Sequence, residues 1–102
     1  MPSKYQIAID LDPKHAVAYY YWGNALQEKK DYDEAIAKYH KAIEIDPKFT
    51  AAYASWGNVL IEREDYGGAI AKYKKVVELD PNGEISGKAR KTINKLKKIS
   101  SK

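Results

Sequence analysis

AVAYYYWGNALQEKKDYDEAIAKYHKAIEIDPKF, residues 16–49, runs without a gap into TAAYASWGNVLIEREDYGGAIAKYKKVVELDPNG, residues 50–83. Laid over each other, the two blocks agree at 18 of 34 positions, among them Tyr19/Tyr53, Trp22/Trp56, Gly23/Gly57, Asn24/Asn58, Ala35/Ala69 and Tyr39/Tyr73. Pro13, Pro47 and Pro81 stand at the same 34-residue interval. A fixed period of this length makes each block one supersecondary unit that buries its apolar face only by stacking on a neighbour.

Each block reads as two helices. Tyr19, Trp22 and Leu26 fall three and four residues apart, on one helical face, and Ala35, Tyr39, Ala42, Ile43 and Ile45 follow the same rule. The second block copies both stripes with Tyr53, Trp56 and Leu60, then Ala69, Tyr73, Val76, Val77 and Leu79. Strands are disfavoured by the Ala, Lys and Glu content and by the lack of sustained alternation. Asp31 precedes a helix with Glu34 three residues on, the pattern of a capping box. Asp12-Pro13, Asp46-Pro47 and Asp80-Pro81 end helices, because proline pushes the residue before it out of the α region. Gly23 and Gly57 lie inside helices, where glycine costs about 1 kcal/mol relative to alanine, so they predict a close approach between helices.

The string Tyr19-x-x-Trp22-Gly23-x-x-Leu26, followed by Ala35-x-x-x-Tyr39 and Pro47, resembles the tetratricopeptide repeat, and the second block matches equally well. The resemblance implies an all-α chain, a right-handed α-solenoid of antiparallel helix pairs (A and B) of about five or six helices, whose concave face binds peptides. Two departures stand out. The glycine common between helices A and B is replaced by Lys30 and Glu64, which predicts strain at any left-handed residue there. In the second repeat the capping box becomes Asp65-Tyr66-Gly67-Gly68, which predicts a looser first turn.

In phase with the repeats, Tyr5, Ala8, Ile9, Leu11, Asp12 and Pro13 match Tyr39, Ala42, Ile43, Ile45, Asp46 and Pro47. Residues 3–12 therefore read as part of a helix B whose helix A is missing. Two accounts stay open: a fragment of a longer array, or a half-helix that pairs with another molecule through Tyr5, Ala8 and Ile9. Residues 84–99 carry Ile85, Ala89, Ile93, Leu96 and Ile99 as an apolar stripe and resemble the solvating helix that closes many such arrays. The expected organisation is one domain over 1–102, with repeats at 16–49 and 50–83 between these ends.

Charge is unevenly placed. Residues 88–102 hold seven cations and no acid, whereas the preceding 87 residues hold 11 cations against 14 acids. A nucleic-acid role is not expected, since no aromatic is interleaved with those cations for base stacking. With 102 residues and no cysteine, the chain has room for one small domain and neither disulfides nor thiolate metal sites. No apolar run approaches the roughly 20 residues that span a bilayer, and no signal peptide is visible, so a soluble, cytoplasmic protein without membrane contact is expected. His15 and His40 occupy non-equivalent repeat positions, and Asp31, Asp33 and Glu34 are explained by capping. No P-loop, dinucleotide fingerprint or Ser/His/Asp arrangement occurs, so neither catalysis nor a metal or cofactor is expected.

By the resemblance, groove-lining positions fall on Val17, Tyr20, Asn24, Gln27 and Glu28, then Ala51, Ala54, Asn58, Ile61 and Glu62, with Ile85 and Lys88 continuing the row. Helical spacing independently places Val17, Tyr20, Asn24 and Gln27 on a face rotated from the Tyr19/Trp22/Leu26 stripe. Asn24 and Asn58 stand one repeat apart, and each amide can donate and accept. They either hydrogen-bond an extended peptide or satisfy neighbouring groups between helices. Tyr20 is the expected apolar anchor, with Tyr19 and Trp22 in the core. Some family members grip a C-terminal carboxylate with Lys, Asn and Arg; at those positions this chain has Tyr20, Asn24, Ser55, Ile85 and Ala89, and only Asn24 matches. With Glu28 and Glu62 in the row, a protein partner offering a neutral or basic peptide is expected, with homo-oligomerisation as the alternative role.

Overall fold

The computed structural model describes residues 3–101. They form α1 (Lys4–Leu11), α2 (Ala16–Glu28), α3 (Tyr32–Ile45), α4 (Thr50–Glu62), α5 (Tyr66–Leu79) and α6 (Glu84–Ser100), with no strand among the described residues. Lys102, the last of the C-terminal cations, lies outside them. Each helix packs on the next, and α2 also touches α4 as α4 touches α6. The A helices α2, α4 and α6 thus stand in one row along an elongated body of 46 × 28 × 18 Å. This is an α-solenoid.

The repeated glycines are the points of closest packing. A Cβ on Gly23 would lie 2.6 Å from the Tyr39 ring, and one on Gly57 would lie 2.9 Å from the Tyr73 ring. Tyr39 is completely buried, so the ring has nowhere to move. Around these contacts lie Ala35, Tyr39 and Val59 in one cluster, and Leu60, Ala69, Tyr73, Val76, Ala89, Ile93 and Leu96 in the other. Alanine at 35, 42, 52 and 69 is fully enclosed because a larger side chain would hold the helices apart.

Several expectations are corrected. Tyr19 and Trp22 are half-buried, as are Tyr53 and Trp56. The Lys38 ammonium lies 3.9 Å from the Trp22 ring and the Lys72 ammonium 3.8 Å from the Trp56 ring. A two-layer stack is too thin to enclose an indole, so lysine stems and charges cover the outer ring faces. Ile9 is buried, where α1 packs on α2, rather than presented to another molecule, and Tyr5 and Ala8 are half-buried. The exposed apolar residues of α1 are Ile7 and Leu11. On α6 the buried stripe is Ser86, Ala89, Ile93 and Leu96, while Ile85 and Ile99 are exposed. Ser86 donates from its hydroxyl to the Asp80 carbonyl, with the Val76 carbonyl 3.3 Å away, so the α5–α6 turn is sealed by a polar side chain.

Capping also differs. Asp31 makes no side-chain bond to the start of α3, whereas Asp65 accepts from the Gly68 N–H at 3.0 Å. A Cβ on Gly68 would sit 2.6 Å from the Asp65 carboxylate. The glycine expected to loosen α5 therefore makes room for its cap. Lys30 and Glu64 adopt φ of 64° and 61°, the left-handed conformation expected for a glycine. Behind each, a Schellman pair closes helix A: Asp31 N–H to the Leu26 carbonyl at 2.9 Å, and Asp65 N–H to the Leu60 carbonyl at 2.8 Å.

Candidate functional site

The row of A helices brings Asn24, Gln27, Glu28 and Glu62 around one depression of about 430 Å³, completed by Lys30 from the turn after α2 and Tyr32 from the start of α3. Four residues anticipated for the groove thus share a surface. Lys30 joins them because its left-handed backbone turns the chain back, and Tyr32 because it opens α3. Turn residues lie outside a pattern counted along helix A, so that count does not reach them.

Beneath the depression runs a repeated polar contact. The Tyr39 hydroxyl lies 2.6 Å from Asn24 Oδ1 and 2.9 Å from Gln27 Oε1. A phenol has one proton, and the shorter contact, to Asn24, takes it, with the Gln27 amide alongside. One repeat on, Tyr73 donates to Asn58 Oδ1. Burial holds both phenols above the ordinary tyrosine range, more strongly at Tyr39. They remain neutral donors throughout the physiological range. Both asparagine carbonyls are therefore engaged from below, and the amide hydrogens remain for the surface.

The other anticipated residues are placed less uniformly. Val17 is exposed. Tyr20 is half-buried, its ring centroid 5.0 Å from Phe49 and 6.1 Å from Tyr39, so much of its area serves packing within the first repeat. Ala54 and Ile61 are half-buried and pack against the core around Tyr73, while Asn58 is exposed. Lys88 is exposed on α6 and does not line the depression. Ser55 is half-buried, and Ala89 is buried, so the Ala89 clamp position lacks both a cation and the access one needs.

Among the described residues, no group of three or more His, Asp or Glu side chains could hold a metal ion. No helix there is long and apolar enough to cross a membrane.

Family models for the tetratricopeptide repeat match residues 16–49 and 50–82. Among solved structures, the TPR2B domain of yeast Sti1, in complex with pHsp70, superimposes with a TM-score of 0.85 at 28% identity, over 92% of this chain and 78% of that one. The TPR domain of Arabidopsis OM64 gives 0.81 at 28% identity, over 92% and 75% of the two chains. The first TPR of Spaghetti (RPAP3), bound to the HSP90 peptide SRMEEVD, gives 0.85 over 96% and 75%, and at 22% identity bears on the fold alone. No curated protein sequence matches the chain. Repeat period, glycine–tyrosine contacts and family models agree, and the chain belongs to the tetratricopeptide-repeat family of non-catalytic protein-interaction modules.

Proposed function

We propose that this chain is a scaffold that holds a peptide or helix of a partner protein in the concave face of α2 and α4. The observation that carries the reading is the repeated tyrosine–asparagine contact, Tyr39 to Asn24 and Tyr73 to Asn58. Each tyrosine fixes an amide so that its N–H groups are left to donate to a peptide backbone, one repeat apart. Val17, Tyr20, Ala54 and Ile61 supply apolar contact, Gln27 a further polar one, and Glu28 and Glu62 favour neutral or basic side chains. The TPR2B domain of yeast Sti1, 28% identical, is a domain in complex with pHsp70. The clamp positions Ile85 and Ala89 lack cations, which disfavours the same carboxylate grip.

A surface spanning two repeats is small, so affinity on the order of micromolar is expected. Peptide-array screening, followed by titration of the best neutral or basic sequence, tests the reading. Replacing Asn24 and Asn58 together by alanine should weaken that peptide about tenfold, as expected for two lost hydrogen bonds. Unchanged affinity removes the α2–α4 face from consideration.

A second reading is favoured by one observation: Ile7, Leu11, Val17 and Tyr21 are all exposed on α1 and α2, with Leu11 at 83%. Such a surface supports self-association. Light scattering should then show a mass that rises with concentration, and Leu11→Glu should abolish the rise. A constant monomer mass excludes it.

A further inference from the structure

The last A helix among the described residues is α6, and two faces of that helix differ in kind. The face of α2 that meets α3 carries Tyr19, Trp22, Gly23 and Leu26, and the matching face of α4 carries Tyr53, Trp56, Gly57 and Leu60. At the same phase α6 has Gly87, Arg90, Lys91 and Asn94. Arg90, moreover, is committed to the Pro81 carbonyl at 2.7 Å. This face is built for water.

The concave side of α6 is not. Ile85, Lys88, Thr92 and Lys95 stand in phase with Val17, Tyr20, Asn24 and Gln27. With 17 residues against 13 in α2 or α4, α6 extends the stripe one turn further, to Ile99. Ile85 is 40% exposed and Ile99 48%. Lys88 and Lys95 are exposed, and neither has an ion-pair partner among the described residues. A helix that only solubilised the end of the stack would be polar here too.

We infer that the stripe Ile85–Lys88–Thr92–Lys95–Ile99 is a docking seam for an acidic amphipathic helix of a partner protein. The inference rests on the scaffold reading above and carries the same row of A-helix positions beyond α2 and α4 onto α6. Spacings of three, four, three and four are those of a heptad seam, and Ile85 and Ile99 lie two heptads apart, about 21 Å along the axis. A helix laid beside α6 would set apolar residues against the isoleucines and carboxylates against the lysines. Charge selects this occupant: residues 88–102 hold seven cations and no acid, so a basic helix is repelled. The contact runs along α6, uses internal side chains and requires no C-terminal carboxylate.

The probe is a fluorescent, C-terminally amidated amphipathic peptide with leucines on one face and glutamates flanking them, compared by anisotropy with the same peptide carrying lysine for glutamate. The acidic peptide should bind at least about tenfold more tightly, and Lys88→Glu with Lys95→Glu should reverse the ranking. Ile85→Ser with Ile99→Ser should weaken the acidic peptide by a similar factor, which unspecific charge attraction would not. Helicity by circular dichroism checks that these surface variants fold. Equal binding of both peptides, indifference to the isoleucine changes, or tighter binding of a DNA duplex overturns the seam. Loss of the acidic peptide on Asn24→Ala with Asn58→Ala overturns it too, because the peptide would then lie in the α2–α4 groove. If the acidic peptide fails while a neutral peptide remains sensitive to Asn24 and Asn58, only the seam is lost and the scaffold reading stands.

Discussion

In the first repeat an aspartate is followed at the third place by Glu34; in the second that place is Gly68, and the second aspartate is the one that caps its helix. The difference shows that a cap depends on the space above the first turn as much as on the presence of a capping residue. A Cβ at position 68 would displace the Asp65 carboxylate, and the side chain of Glu34 stands at the equivalent point. The same pairing separates the concave faces. The Tyr20 ring packs at a tilt against Phe49 in the first repeat, whereas the second has the smaller Ala54 and Gly83 at those positions.

The largest effect that would break this comparison is at the shared glycines. Gly23→Ala is expected to lower unfolding free energy by about 2 kcal/mol, and Gly57→Ala by somewhat less, since overpacking costs about 1–3 kcal/mol. The order follows the 2.6 and 2.9 Å approaches to Tyr39 and Tyr73. Urea unfolding of both variants measures it, and a reversed order would mean that the repeats relax differently.

Next come the tyrosine hydroxyls. Tyr39→Phe should cost about 1–2 kcal/mol, because the amides of Asn24 and Gln27 both lose a partner, and Tyr73→Phe about 1 kcal/mol. The alkaline limb of stability gives a second readout. Burial raises both phenol pKa values in the folded state. Stability from the neutral phenols is intact below the ordinary tyrosine value of 10.0 and is lost as pH climbs from there toward the raised values. Tyr39→Phe should flatten that decline more than Tyr73→Phe.

Asp65→Ala should destabilise by about 1 kcal/mol, and Asp31→Ala by clearly less, as only the first removes a side-chain cap. The smallest expected effect is a gain. Lys30→Gly and Glu64→Gly should each add about 0.5–1 kcal/mol by relieving a left-handed backbone, partly offset by the entropy of glycine in the unfolded chain. Thermal unfolding resolves the sign.

Much of the stack was legible along the chain. The prolines, the glycines at 23 and 57 and the repeated apolar spacing act through local backbone geometry and period, so helix limits and helix pairing could be read from them. The candidate groove was legible only in part. Asn24 and Gln27 follow from helical phase and Glu28 and Glu62 from the repeat positions that the family resemblance implies, but Lys30 enters from the turn after α2 and Tyr32 from the start of α3, which a count along helix A passes over. Whether Asn24 faces a neighbour or a ligand could not be read in one dimension, because Tyr39 reaches it from 15 residues away.

The sequence by itself determined the period, the family and the row of A-helix positions, since these depend on spacing along one chain. Only the tertiary structure decided which residues share enclosed space. It left the tryptophans half-covered by lysines, turned Ser86 inward in place of Ile85, buried Ile9 and gave the cap to Asp65. Each of these is settled by volume and by hydrogen-bond partners contributed from another helix or turn, which no stripe on a single helix records.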